Sequence, residues 1–110
     1  MSRQTATLSA DGATLLANIV PPRKDDDYCG ELHVYGTFGG GTVKLQVSPD
    51  GGTTKNDYKD LSGVVWTATA ADVVSFEICG GGTNSTPQKL YITLTGATAP
   101  SISVVLYDNR

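Results

Sequence analysis

Charged residues are scarce in this chain: they make up 17% of its 110 residues, against about a quarter in an average globular protein. The formal net charge is −3, and no cluster of basic residues stands out. A protein that binds nucleic acid needs Lys and Arg concentrated on one surface to neutralise phosphates. The sequence therefore disfavours direct binding to DNA or RNA.

Long apolar runs are absent as well. Stretches such as residues 104–106 fall far short of the roughly 20 apolar residues that a membrane-spanning helix needs. The first residues lack the charged start and apolar run of a secretory signal peptide. The sequence predicts a soluble protein, without a membrane partner, that is made in a cytoplasm.

Cysteine and histidine are too few for a metal centre. Cys29 and Cys79 lie far apart without a second pair, which is not the spacing of a zinc site. In the absence of a secretory signal we expect two buried thiols rather than a disulfide. His33 is the only histidine, and no motif supplies it with a nucleophile. We therefore predict no enzyme activity, catalytic residue, metal site or cofactor.

Apolar and polar residues alternate along most of the chain, which is the pattern of strands with one buried face. The predicted inward positions are Leu32, Val34, Gly36 and Phe38; Val43, Leu45 and Val47; Val74, Phe76 and Ile78; Leu90, Ile92 and Leu94; and Ile102, Val104 and Leu106. Seven to nine short strands predict an all-β fold, an antiparallel β-sandwich of jelly-roll or immunoglobulin-like type, over residues 11–110. The polar residues 1–10 are predicted to form a flexible N-terminal arm.

Two glycine triplets, residues 39–41 and 80–82, follow predicted strands. A phosphate-binding loop would need a lysine and a helix after the glycines, and neither triplet has them. We predict that both triplets close hairpins. The strands on either side of residues 39–41 are then expected to pair antiparallel.

Two polar segments are candidates for turns or ions. Residues 48–54 have the Ser-x-Asp-x-Gly-x-Thr spacing of an Asp-box, in which the carboxylate accepts hydrogen bonds from turn amides. We predict a structural turn that depends on Ser48, Asp50, Gly52 and Thr54. The other segment is the acidic run of Asp25, Asp26 and Asp27, for which we expect a solvated loop and keep a calcium site or a contact with a basic partner as alternatives.

Several large side chains fall on the outward faces of their predicted strands. They are Tyr35, Tyr91, Tyr107 and Val105. Tyrosine combines a large contact area with a polar tip and is enriched at protein interfaces. These residues are candidate interface residues, and the alternatives are cross-strand pairs on a solvated sheet or a platform for a sugar ring.

A family resemblance rests on the turns and strands of two segments. Residues 35–53, which read YGTFGGGTVKLQVSPDGGT, and residues 90–104, which contain LYITLTGA and PSISV, resemble small virion structural proteins of tailed bacteriophages. The resemblance covers about half of the chain.

This resemblance implies a non-enzymatic capsid decoration or cement protein on the virion surface, made in the bacterial host cytoplasm. Its partners would be the major capsid protein and further copies of itself, as a dimer or trimer. The alternatives are a tail, connector or head-fibre component and a carbohydrate-binding module that uses the exposed tyrosines.

Overall fold

A computed structural model of the chain describes residues 2–19, 28–60, 62–78 and 88–109. The nine strands within these ranges are β1 (Ser2–Leu8), β2 (Gly12–Ile19), β3 (Tyr28–Thr37), β4 (Thr42–Ser48), β5 (Asn56–Asp57), β6 (Thr67–Ala68), β7 (Asp72–Ile78), β8 (Gln88–Thr95) and β9 (Ser101–Asp108). No membrane-crossing helix is present in this described part of the chain.

The strands form two antiparallel sheets packed face to face, as predicted. Sheet A has the order β1-β9-β3-β7, and sheet B has the order β2-β8-β4-β5, with β6 also paired to β4. Outside the short β4–β6 segment, consecutive strands alternate between the two sheets. This strand order is that of a jelly roll, so the jelly-roll alternative of the predicted sandwich is the correct one.

The core lies between the sheets and uses the alternating positions that the sequence marks, with the exception of Gly36, which is exposed near the end of β3. Among the described residues, eight apolar side chains have no exposed surface: Ile19, Leu32, Val43, Leu45, Leu90, Ile92, Leu94 and Ile102. Val47 and Ile78 are partly buried and pack against this core. Burial of such side chains stabilises the fold by about 1.5–3 kcal/mol each before the entropy cost of folding is subtracted.

The predicted hairpin at residues 39–41 is wrong. β3 belongs to sheet A and β4 to sheet B, so this segment crosses between the sheets. The crossing is held by the backbone, because the Thr98 N–H donates to the Gly39 carbonyl at 2.9 Å and the Gly41 N–H donates to the Phe38 carbonyl at 2.9 Å. Gly39 adopts a φ of 61°, and a Cβ there would collide with the Thr98 carbonyl oxygen.

Other crossings lie at the same end of the sandwich. The connection from β1 to β2 carries Asp11, whose carboxylate accepts the N–H groups of Gly96 at 3.2 Å and Ala97 at 3.0 Å. Those two residues belong to the crossing from β8 to β9. These crossings are therefore joined to one another by hydrogen bonds at this end of the sandwich.

The N-terminal residues differ from the predicted flexible arm. Residues 2–8 form β1, which pairs with β9 along its whole length as the edge strand of sheet A. The reason lies in their alternation, because Leu8 is buried and Ala6 packs against the core. These contacts give the segment an apolar side despite its polar composition.

Candidate functional site: the outer face of sheet A

The outer face of sheet A carries side chains from four adjacent strands. The register places Arg3, Tyr107, Glu31 and Ser75 in one row, Thr5, Val105, His33 and Val73 in the next, and Thr7, Ser103 and Tyr35 in the third. We call these residues the A face. Because they stand on paired strands of one sheet, their spacing is fixed by the backbone ladder rather than by loops.

Large apolar side chains are exposed on the A face. Tyr35 and Val73 each leave 50% of their surface exposed, and Tyr107 leaves 38%. Val105 lies between them in the middle row and is buried by its neighbours to 7% exposure. The exposed side chains thus surround a packed centre, which is the arrangement of a surface suited to another molecule.

Tyr107 is held in place by residues on both sides. The Arg3 guanidinium lies 5.9 Å from the Tyr107 ring centroid, and Arg3 Nε donates to the Tyr107 hydroxyl at 3.3 Å. On the other side the His33 ring meets Tyr107 edge to face at 5.8 Å. His33 Nε2 in turn contacts Glu31 Oε1 at 2.6 Å. The ring therefore needs little further ordering when a partner binds.

An open depression of about 540 Å³ adjoins the A face at the end opposite residues 39–41. Its lining includes Tyr107, Glu31 and Glu77, together with Tyr58 from the segment between β5 and β6. The Tyr58 hydroxyl accepts the Glu77 N–H at 3.3 Å, so Tyr58 closes one side of the depression. Cys29, which is half-buried, also lines it.

The outer face of sheet B has a different character. Thr93 donates to Gln46 Oε1 at 2.6 Å, and Gln46 donates to Asp57 Oδ1 at 2.8 Å. Lys44 also reaches Asp57, at 3.4 Å. The hydrogen bond from Gln46, with the nearby Lys44 charge, holds the pKa of Asp57 below its usual value. These polar groups bind one another, which leaves them little capacity to recognise a partner.

The predicted turn residues come together at the loop after β4. Ser48 Oγ donates to Asp50 Oδ1 at 3.0 Å and accepts the Gly52 N–H at 2.7 Å, while the Thr54 N–H donates to Asp50 Oδ1 at 2.8 Å. These hydrogen bonds, chiefly those from Thr54, lower the pKa of Asp50. Gly52 has a φ of 114°, which side chains rarely adopt.

Tyr91 lies beneath this loop rather than on the A face. It stands on β8 in sheet B, where its hydroxyl faces the Cα of Gly52 and Lys55 Nζ lies 4.8 Å from its ring centroid. Lys55 Nζ also donates to the Gly52 carbonyl at 2.9 Å. Tyr91 thus packs against this loop from another strand. The three predicted tyrosines do not share a face.

Several predicted features lie outside the described residues. They are Asp25, Asp26 and Asp27, the predicted thiol of Cys79, and the second glycine triplet. Within the described ranges no group of three or more His, Cys, Asp or Glu side chains could hold a metal ion.

Comparison with known proteins gives no relative. No protein-family model, no curated protein and no solved structure matches the chain.

One large exposed residue of the A face, Val73, is not among the interface residues predicted from the sequence. Val73 precedes the inward positions Val74, Phe76 and Ile78 and therefore points outward by simple alternation. An apolar residue at an outward position is the signal that could have identified it.

Proposed function

We propose that this chain is a non-enzymatic structural protein of a tailed-bacteriophage virion. In this proposal it is a decoration or cement subunit that binds the major capsid protein and stabilises the head shell from its outer surface. The observation that carries the proposal is the A face, where Tyr35, Val73 and Tyr107 are exposed around the buried Val105.

The composition of the A face supports docking to a protein. Interfaces are enriched in tyrosine, and their energetic centres are aromatic or Arg anchors surrounded by residues that exclude water. Tyr107 lies between Arg3 and His33, so an anchor of this kind is already oriented. A rigid sheet also avoids the entropy cost that a mobile loop would pay on binding.

The fold and the sequence resemblance support the same proposal. Jelly rolls occur in viral capsid proteins, although also in lectins and cupins, so the fold by itself does not fix the function. The resemblance to small virion proteins adds the phage context. A capsid lattice presents many identical sites, on which contacts that are weak individually add through multivalency.

The direct test uses purified heads that lack this protein. After mixing and sedimentation, we expect the chain to pellet with the heads at a fixed ratio to the shell subunit. Tyr35→Ala and Val73→Asp should each weaken binding about tenfold or more, because they remove exposed anchors from the A face. Leu15→Asp is the matched control, since Leu15 is 44% exposed but lies on sheet B.

Three outcomes would contradict the proposal. Failure to pellet at micromolar concentrations would remove a role in capsid decoration. Pelleting with purified tails, but not with heads, would favour the tail or connector alternative. Equal loss of binding in Leu15→Asp and Val73→Asp would show that the A face is not the docking surface.

A second candidate function is carbohydrate binding, which the depression beside Tyr107 favours. An aromatic ring can stack on a sugar and carboxylates can accept hydrogen bonds from its hydroxyls, and Tyr107 lines the depression together with Glu31 and Glu77. A glycan array would test this candidate. Binding lost in Tyr107→Ala but kept in Tyr91→Ala would support it, and the absence of binding across the array would refute it.

A further inference from the structure

Along each strand of sheet A, successive residues bond alternately to the neighbouring strand on one side and on the other. This alternation shows which backbone N–H and C=O groups of the two edge strands point away from the sheet. The Asn109 N–H donates to the Cys29 carbonyl at 3.1 Å, so odd-numbered residues of β9 bond to β3. Even-numbered residues of β9 must then bond to β1, where their partners are Ser2, Gln4, Ala6 and Leu8. The N–H and C=O groups of Arg3, Thr5 and Thr7 consequently point away from the sheet.

The other edge strand of sheet A, β7, follows the same alternation, and its edge is closed to pairing with a further strand. By the same alternation the outward N–H groups of β7 belong to Val73, Ser75 and Glu77. The Val73 N–H donates to Asp72 Oδ1 at 2.8 Å, and the Glu77 N–H donates to the Tyr58 hydroxyl at 3.3 Å. Side chains therefore occupy two of the donors that an added strand would need.

The edges of sheet B are also unsuited to strand addition. β2 has a bulge between Leu15 and Ala17, which bends the strand and interrupts its ladder. On the other side, β5 and β6 have two residues each. Bulges and very short edge strands are devices by which proteins prevent association between edges.

β1 has none of these devices. Its register with β9 is continuous from Ser2 to Leu8, without a bulge or a proline. Its only charged side chain, Arg3, is turned back over Tyr107. Within the described ranges, no side chain is hydrogen-bonded to the outward groups of Arg3, Thr5 or Thr7. An open edge of this length is a template for another strand.

We propose that β1 pairs antiparallel with β1 of a second copy of this chain, about a twofold axis at Thr5. This register sets Thr5 opposite Thr5 and Arg3 opposite Thr7, and it pairs every outward backbone group of these three residues. The two Arg3 residues remain about 14 Å apart along the strand direction, so no like charges face each other. An axis at Gln4 would set Thr7 opposite a position outside β1, and an axis at Ala6 would do the same to Arg3.

The choice of a second copy follows from this self-complementarity. In the proposed register polar residues oppose polar residues on the outer face, and Gln4 opposes Ala6 on the inner face. Two copies of sheet A then form one continuous eight-stranded sheet, with their A faces side by side. The pairing concerns the free protein, and it stands whether or not the A face binds a capsid.

The first test measures which amides become protected when the protein associates. Hydrogen exchange followed by NMR at increasing protein concentration should show growing protection of the Arg3, Thr5 and Thr7 amides. The Gln4 and Ala6 amides, already bonded to β9, should not change. No concentration-dependent protection of Thr5 and Thr7 would overturn the proposal, as would protection confined to another strand.

The second test uses charge at one exposed position. In the proposed register, Thr7→Glu places a carboxylate opposite Arg3 of the second copy at two symmetric positions. Sedimentation equilibrium should show a dimer dissociation constant about threefold to tenfold lower than that of the natural chain at low salt. Thr7→Arg should raise it by a similar factor, and high salt should reduce both effects. Equal effects of both variants, or a monomer at all concentrations, would refute the register.

The third test blocks the edge itself. Thr5→Pro removes an outward N–H while leaving the hydrogen bonds to β9 in place, which is where edge strands tolerate proline. We expect dimerisation to weaken at least tenfold in this variant, and Thr5→Val, which keeps the N–H, to dimerise normally. Circular dichroism checks whether Thr5→Pro is folded. If it is not folded, the variants Thr7→Glu and Thr7→Arg still test the proposed pairing. A folded Thr5→Pro variant with unchanged dimerisation would overturn the proposal.

Discussion

The buried hydroxyl of Tyr28 provides the most direct test of how the core is stabilised. It donates to Asp108 Oδ2 at 2.8 Å, and the two residues are only 1% and 2% exposed. In Tyr28→Phe the ring can keep its contact with Phe76, whose centroid lies 5.4 Å away. The substitution therefore removes the buried hydrogen bond to the Asp108 carboxyl group while it keeps the aromatic ring.

The expected cost of Tyr28→Phe follows from that geometry. Removing one partner of a buried hydrogen bond costs about 1–3 kcal/mol, and water cannot readily replace the hydroxyl at a site without solvent exposure. For a domain of this size the loss corresponds to a fall in Tm of roughly 4–13 °C.

Urea denaturation and calorimetry measure this change, and the chain provides a matched control. Tyr35→Phe makes the same substitution on the same strand, at a hydroxyl whose side chain is half exposed. We expect Tyr35→Phe to change stability by less than about 0.5 kcal/mol. Equal stability of the two variants would refute the assigned contribution of the buried hydrogen bond.

Three further predictions concern loops. The pKa of Asp50 is lowered in the folded protein, so its contribution to stability is present above the ordinary value of 3.8 and is lost as pH falls through the lower folded pKa. When Tm is measured against pH, Asp50→Asn should therefore show a smaller fall of Tm in acid, and a pH profile like that of the natural chain would contradict this prediction. Ala99 is exposed with a φ of 49°, so Ala99→Gly should raise stability by about 0.5–1 kcal/mol in urea denaturation, whereas a loss would contradict the strain argument. Gly40→Ala should lower the free energy of unfolding by about 1 kcal/mol through its positive φ alone. Gly39→Ala should lower it by at least about 2 kcal/mol more, because its Cβ meets the Thr98 carbonyl, and equal losses in the two variants would show that the backbone of the crossing shifts to accommodate the Cβ.

The sequence predicts the fold class because alternation records burial directly. Leu90, Ile92 and Leu94 occupy every second position of one strand, and all three are completely buried. Alternation does not, however, say which sheet a strand joins. The β3 and β4 segments have the pattern of a hairpin, yet the hydrogen bond between Gly39 and Thr98 directs the chain across the sandwich. That contact joins residues far apart in sequence, which local patterns do not encode.

Local irregularities limit the prediction of individual positions. The bulge in β2 inserts Leu16, so that Leu16 and Ala17 are both buried while Leu15 faces solvent. The alternation does not mark Tyr28 as a core residue, because Tyr28 follows a run of charged residues and stands beside Cys29 and Gly30, which do not continue an apolar pattern. Both cases depend on tertiary packing that overrides the period of two.

The sequence predicts which side of its strand each residue of the candidate site points to, because side chains alternate between the two faces of a strand. We call this alternation strand parity. Tyr35, Tyr107 and Val105 point outward from sheet A, as alternation requires. Tyr91 has the same parity on its own strand but belongs to sheet B, where the loop after β4 covers it. Parity therefore identifies the side of a strand, and only the strand order shows which outward residues lie on one surface.

The two proposals use different parts of sheet A, and together they lead to a stronger expectation. Docking uses side chains of the A face, whereas self-pairing uses the backbone edge of β1. A dimer would hold two A faces rigidly in one sheet, and a second binding event on a repeating lattice then becomes intramolecular. Avidity of this kind can exceed the affinity of a single face by about 100-fold or more. Thr5→Pro should therefore weaken capsid binding far more than Thr5→Val does, because both replace the same side chain and only the proline variant removes the pairing N–H. Equal capsid binding by the two variants would show that each copy docks alone.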